Sequence, residues 1–394
     1  MTKLCDKNNC IGCGACANVC PKNCIALSAD DEGFMYPTVN ISLCVDCGLC
    51  NAACPVIGFK PVGVFETPVV VASYNRELDI VNKSSSGGVF TALATFIISQ
   101  GGVVYGAAYN KDFCVEHIRV DRFKDVYLFQ GSKYLQSNMG TAYIKAKADL
   151  KAGLKVLFSG TPCQIAALKQ YLGKPYKDLI CVDIICHSVP SPKVWEEYLA
   201  QIERNHKAKV VSVNFRDKRD SWRRYCLCIA LSNGEEVLRT MDSNLYMKAF
   251  IEGLSTRESC YSCKFKGQNR GSDITIGDFW GCESVCPEFA YTKGTSLVLL
   301  QSEKGRSVFS AISDKLRVAS VETEAALSKN PAYYQPAKPH ARRAEFFERF
   351  NSENFEELVK ALTASEPKTI ANGKWHKNLF YRGLRKIGRI ICRK

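Results

Sequence analysis

Cys10-Ile-Gly-Cys13-Gly-Ala-Cys16-Ala-Asn-Val-Cys20-Pro21 returns further along the chain as Cys44-Val-Asp-Cys47-Gly-Leu-Cys50-Asn-Ala-Ala-Cys54-Pro55. Each run has the spacing C-x2-C-x2-C-x3-C-P, in which three thiolates hold one 4Fe-4S cluster and the fourth reaches across to a second. One cluster is therefore expected on Cys10, Cys13, Cys16 and Cys54, and the other on Cys44, Cys47, Cys50 and Cys20. Gly12, Gly14 and Gly48 suit the tight backbone such loops need. Four thiolates also suit zinc, but zinc sites pair two separated C-x2-C arms, and this duplicated run of eight cysteines does not have that form.

The repeat defines a two-cluster ferredoxin domain over residues 1–61, closed by the Pro- and Gly-punctuated stretch that runs to Pro68. Two decoys sit within it. Gly12-Cys-Gly14-Ala-Cys-Ala17 matches a dinucleotide-binding G-x-G-x-x-A, but no strand precedes it and its cysteines are already committed. Cys5 and Cys24 imitate further ligands and are read as packing thiols.

With 394 residues, 46% hydrophobic and 23% charged, the chain can bury substantial cores and has room for two or three domains. Its 21 cysteines would be disulfides in a secreted protein. The Met-Thr-Lys-Leu-Cys start carries no apolar signal run and no span of eighteen uncharged apolar residues occurs, so a soluble, cytoplasmic protein with metal or redox cysteines is expected. The formal charge of +14 overstates the basicity, because metal-bound thiolates are deprotonated. Walker A, H-E-x-x-H and G-x-S-x-G patterns are missing, and nucleic-acid binding is not expected, since no recognised binding motif accompanies the charge.

From Val69 onward strand-like and helix-like runs alternate, which is the pattern of an α/β layer domain. Strands are expected at 69–74, 102–108, 155–159, 179–185 and 273–277, helices at 88–99, 138–151, 163–172 and 192–204, and a β-rich stretch at 209–240. The expected class is thus α/β, α+β overall: a ferredoxin domain at 1–61, an α/β domain at 69–320 and a mainly helical extension at 321–394.

Cys163 opens a helix after the strand ending at Phe158, and Cys186 closes another strand, so both fall at carboxyl ends of strands, where α/β sheets place their sites. Cys260-Tyr-Ser-Cys263 supplies two more thiols. Spacing alone leaves several readings open: a third cluster, a zinc site, an activated nucleophile at Cys163, or a redox dithiol at Cys260 and Cys263. Cys181 sits mid-strand and reads as a small buried hydrophobe.

Six stretches in order, Ser84-Ser-Ser-Gly-Gly-Val-Phe90, Gln130-Gly-Ser-Lys-Tyr134, Gly160-Thr-Pro-Cys-Gln164, Cys186-His-Ser-Val-Pro-Ser-Pro192, Ser259-Cys-Tyr-Ser-Cys-Lys-Phe265 and Asp273-Ile-Thr-Ile-Gly-Asp-Phe-Trp280, span roughly residues 70 to 320. Over them the chain resembles the beta-subunit family of coenzyme F420 hydrogenases and dehydrogenases, with its bacterial relatives and the plant hydroxymethyl-chlorophyll reductases. The resemblance implies a third 4Fe-4S cluster on Cys163, Cys186, Cys260 and Cys263, beside an FAD. It also implies flavin contacts from Ser85, Ser86, Gly87 and Gly88, from Lys133 and Tyr134, and from Gly160, Thr161 and Gln164. By residue chemistry alone, the serine-glycine run is equally a helix cap. The fused layout matches bacterial relatives linked to surface-polysaccharide or similar pathways, which sets this chain apart from members that act on the deazaflavin coenzyme.

Near the end, Trp375, Leu379, Phe380, Leu384, Ile387 and Ile391 recur at helical spacing opposite Lys377, Arg382, Arg385, Arg389 and Arg393, the make-up of a helix that lies on a membrane surface or docks on its own protein. The expected function is an iron-sulfur flavoprotein oxidoreductase that exchanges electrons with a redox partner protein or ferredoxin and converts a small-molecule substrate. The alternatives are an electron-transfer subunit with no substrate of its own, and a membrane-face assembly protein with structural clusters.

Overall fold

The computed structural model describes residues 4–364. The duplicated cysteine runs fold as two matching halves, in which the equivalent helices Ala15–Val19 and Leu49–Ala52 are each opened by a glycine in the left-handed region (Gly14 and Gly48, both φ 72°). Between the halves β1 (Ile25–Ala29) and β2 (Met35–Val39) form an antiparallel hairpin with Ala29 opposite Met35.

The next strands are β3 (Val69–Asn75), β4 (Val103–Tyr109), β5 (Val115–Val120), β6 (Val156–Gly160) and β7 (Leu179–Ile184). A separate antiparallel sheet of β8 (Val210–Asp217), β9 (Cys226–Leu231) and β10 (Glu236–Thr240) accounts for the β-rich stretch. The chain then returns to the main sheet with β11 (Ile274–Asp278), β12 (Ser296–Leu300) and β13 (Leu316–Ser320), giving the order β13-β3-β12-β11-β7-β6-β4-β5. The four central strands β11, β7, β6 and β4 are parallel, and the flanking strands are antiparallel. Strands buried on both faces read as continuous apolar runs, which is why Val156-Leu157-Phe158 and Leu179–Val182 stood out in the sequence.

Helices cover both faces, so the class is α/β, with α+β character from the smaller sheet and the opening module. On one face α1 (Val89–Ser99) packs Leu93 and Ile97 against Val104, Leu157 and Ile180. On the other face α2 (Ala142–Lys151) and α3 (Pro162–Leu172) cover Val103, Tyr105, Val156 and Phe158. Adjacent strand residues thus face opposite ways, as a pleated strand requires. Helix α2 begins four residues later than periodicity suggested. Asn138 pairs with β5 through its N–H to Val115 O at 2.8 Å, and Gly140 turns at φ +46°, so the helix has to wait for the chain to leave the sheet edge. Helix α4 (Pro192–His206) starts at a Ser191 cap with proline at its first position.

The described part of the C-terminal extension contributes α6 (Arg343–Phe350) and α7 (Phe355–Thr363), while α5 (Leu245–Ile251) follows the smaller sheet. Phe346, Phe355 and Leu358 enter the same core as Trp195, Tyr198 and Tyr246. The expected boundary at 320/321 therefore runs through shared packing. The amphipathic tail lies outside the described residues, and among those described no helix is long and apolar enough to cross a membrane.

Candidate functional site: three thiol sets and a cleft

The opening module holds two cavities of nearly equal size, about 390 and 370 Å³ counting space open to solvent. Cys10, Cys13, Cys16 and Cys54 line the first, and Cys20, Cys44, Cys47 and Cys50 line the second. These are the two crossed sets the spacing implies. Each cavity has a fifth thiol, Cys5 in the first and Cys24 in the second. Both had been expected only to pack; instead each lies against the ligand set. The Cys24 Sγ is 3.3 Å from Cys20 Sγ. Cys5 hydrogen-bonds to Cys10 and Cys54, holding the first thiol down to about 6 and the second to about 7. Burial instead pushes Cys16 up to about 12. Such a set gives up protons when a cationic group enters. Among the described residues no group of three or more His, Cys, Asp or Glu is gathered for a single metal ion.

The third set is assembled from three distant segments. Cys163 comes from the first turn of α3, Cys186 from just past β7, and Cys260 and Cys263 from the loop before β11. All four thiols lie close enough to act on one another electrostatically, and burial pushes Cys186 up to about 11 and Cys260 up to about 12. Cations surround them. Lys266 donates to Cys186 O at 2.6 Å and to Ala332 O at 2.9 Å. Arg270, fully buried and paired with Asp183 at 3.1 Å, acts on Cys186, and Arg257 acts on Cys260. Four thiols ringed by buried positive charge suit an anionic cluster. Tyr143 bridges the first and third sets: its buried ring feels both Cys13 and Cys163, and its hydroxyl donates to Gln164 O at 3.2 Å.

Beyond the third set a cleft of about 1400 Å³, counting space open to solvent, opens at the carboxyl ends of β4, β6, β7 and β11, lined there by Ala107, Ser159, Gly160, Ile184, Gly277 and Asp278. Of the residues the resemblance implied, Ser85, Ser86, Gly88, Lys133, Tyr134, Gly160, Thr161 and Gln164 line it. Ser85 Oγ accepts the N–H of Ser132 at 2.6 Å, which joins the serine-glycine loop to the Gln130–Tyr134 loop as one wall. Gln164 Oε1 accepts the Thr161 N–H at 2.9 Å in a capping box, so both residues shape the turn that carries Cys163. Gly87 does not line the cleft. It packs against β3 and β12, where an added Cβ would sit 2.9 Å from Ser296 N.

In and behind the cleft wall, His117 and Arg216 gave no motif signal, whereas Lys133 was implied by the resemblance. His117 is 8% exposed, and its Nε2 meets the Ser159 carbonyl at 2.9 Å, which makes that nitrogen the donor, while Nδ1 is 2.5 Å from Ser137 Oγ. Burial drives this imidazole down to about 4, so it is neutral at working pH. The Lys133 ammonium donates to Gln130 O and Gly131 O, and burial lowers it to about 7. Arg216 pairs with Asp278 at 2.8 Å and donates to Tyr134 Oη at 3.2 Å and Ser85 O at 3.3 Å. His117 and Arg216 come from strands whose alternation is read as burial, so pattern alone hides them, whereas Asp278 falls in the Asp273–Trp280 stretch.

Comparison with known proteins matches this arrangement in two places. Residues 153–325 match the model for the C terminus of the coenzyme F420 hydrogenase/dehydrogenase beta subunit, and residues 9–57 match a 4Fe-4S dicluster domain. Residues 153–325 thus carry the C-terminal domain of that beta-subunit family, with a dicluster domain ahead of it. Among curated relatives, an uncharacterized protein of Methanocaldococcus jannaschii is 29% identical over 218 residues, 45% of this chain and 59% of the relative. NADH-quinone oxidoreductase subunit I 2 of Geobacter metallireducens is 38% identical over 76 residues, 18% of this chain and 55% of the relative. The chain thus spans little more than half the length of either. Among solved structures, a chain from the F420-reducing NiFe hydrogenase complex of Methanosarcina barkeri aligns with a TM-score of 0.46 at 18% identity, covering 69% of this chain and 88% of that one.

Proposed function

We propose that this protein is an iron-sulfur flavoprotein oxidoreductase, with 4Fe-4S clusters on the three cysteine sets and FAD in the cleft, that takes electrons from or gives them to a redox partner such as a ferredoxin while converting a small molecule. When bound, the clusters would supply single-electron exchange and the flavin the conversion to two-electron chemistry. One observation carries the reading: the turn Gly160–Gln164 belongs at once to the wall of the cleft and to the third thiol set.

The residues have separable tasks. The N-terminus of α1 at Gly88 offers backbone N–H groups to a phosphate, and Ser85 a hydroxyl, while the Ser86 hydroxyl is held by the Thr295 carbonyl at 2.8 Å. Lys133 supplies a cation once an anion favours its protonation, and Arg216 supplies a fixed charge beneath the wall. Ile184, Ile185 and Val189 give the apolar surface that excludes water from a ring system. His117 holds a proton on Nε2 and orients the Ser159 carbonyl.

Anaerobic purification with iron and flavin analysis tests this. Three clusters predict about twelve irons per chain with one FAD, whereas about eight irons and no flavin would remove the third site and the cleft assignment together. A second reading, an electron-transfer subunit without its own substrate, draws on the exposed apolar residues Val45 and Leu49, which line the second cavity with Cys47. Purified protein that accepts electrons from ferredoxin but reduces no added deazaflavin, nicotinamide or pigment would favour it.

A further inference from the structure

Arg257 is 1% exposed and donates to three uncharged oxygens, Nε to Cys10 O at 2.9 Å, Nη1 to Gln136 Oε1 at 2.9 Å and Nη2 to Met35 O at 3.1 Å, and its charge also favours the Cys10 thiolate. The faces of Tyr36 and Phe34 lie 4.3 and 5.3 Å from its guanidinium carbon. Burying a cation among neutral groups is costly unless an anion compensates nearby. The anion on offer is the thiolate set behind Cys10.

The local sequence is shaped around this side chain. Gly12, at φ +64°, would place an added Cβ 2.8 Å from Arg257 Nη1, so only glycine lets the guanidinium reach the cluster loop. Gln136 returns a second bond to that loop, Nε2 to Ile11 O at 3.1 Å. Arg257 also acts on Cys260 of the third set, so its charge stands between two thiol sets. At the second cavity of the module the lining cation is Lys22, which is exposed and screened by water.

We propose that Arg257 is a positioning residue that docks the ferredoxin module on the α/β domain and, by its buried charge, makes the cluster of Cys10, Cys13, Cys16 and Cys54 easier to reduce than the cluster of Cys20, Cys44, Cys47 and Cys50. Net charge, hydrogen bonding and solvent exposure set the potential of such clusters, and a fixed cation in a low-dielectric interior favours the more negative, reduced form. This rests on the reading above that clusters occupy both cavities.

The test uses the full-length, anaerobically loaded protein in redox titrations followed by electron paramagnetic resonance. In the wild type the higher of the two ferredoxin-type midpoints belongs to the signal shielded from a water-soluble paramagnetic relaxation agent. Arg257→Gln lowers that midpoint and leaves the exposed signal where it was, and Arg257→Lys restores most of the difference. The third set, with Lys266 and Arg270 beside it, moves less. Gln136→Glu provides a variant that keeps Arg257 in place and neutralises its charge, and it lowers the same midpoint. Equal shifts of both signals, or no shift of the shielded one in Gln136→Glu and Arg257→Gln, overturn the proposal. Wild-type protein without iron or reducible signals would instead overturn the underlying cluster reading.

Discussion

The two cysteine runs of the opening module are near copies, yet their surroundings are opposite. Gly12 and Asp46 occupy the same place in the two runs and share the left-handed backbone, φ +64° and 51°. Gly12 lies under Arg257 and Met35, whereas Asp46 tolerates a side chain. Ala15 and Leu49 are likewise equivalent, and Ala15 is fully buried in the core of α2 and α3, whereas Leu49 is 44% exposed beside Ile41, Leu43 and Val45. Residue size at matched positions therefore separates the docked cluster loop from the open one. An open, apolar rim around a one-electron carrier suits a weak, transient partner.

The sharpest way to break this comparison is to remove one ligand from each side. Cys13→Ser and Cys47→Ser are each expected to cost about four irons per chain. Only Cys13→Ser should also lower the melting temperature markedly, because its thiol packs into the α2/α3 core. Equal thermal losses would mean that the two halves are equally docked.

Exchange at the matched glycine comes next. Gly12→Ala forces a side chain into a positive-φ position against backbone and guanidinium and is expected to cost about 2–4 kcal/mol in denaturant unfolding, whereas Asp46→Gly stays within about 1 kcal/mol. Ala15→Leu overpacks the interface by about 1–3 kcal/mol. Leu49→Ala should be within about 0.5 kcal/mol in stability yet slow reduction by an added ferredoxin, measured by stopped flow. A Leu49 variant that is reduced at the wild-type rate would place partner contact elsewhere.

Lys133 extends the contrast to pH. With its ammonium lowered to about 7 by burial, a bound anion re-protonates it, and affinity for the proposed flavin should fall as pH rises above 7 by at most about tenfold per unit. Titration calorimetry should find proton uptake in that range, and Lys133→Met should abolish it. A pH-independent affinity would remove Lys133 from phosphate binding.

Spacing alone implied the crossed pairing of the eight cysteines in the two repeated runs, because a cubane's ligands on adjacent turns leave few other geometries. Alternating apolar runs likewise indicated an α/β layer domain, since strands buried on both sides and amphipathic helices have distinct periods, while the strand directions came from the fold. The later start of α2 was hidden, because a sheet-edge bridge from Asn138 outranks local propensity. Spacing left the set of Cys163, Cys186, Cys260 and Cys263 open and the resemblance implied it, while tertiary structure alone set Arg257 against Cys10 and brought His117 to the cleft, with Arg216 paired to Asp278 at its wall. These are long-range contacts between side chains of ordinary local pattern. Their meaning lies in what the folded chain places opposite them, and a linear sequence carries no signal for that.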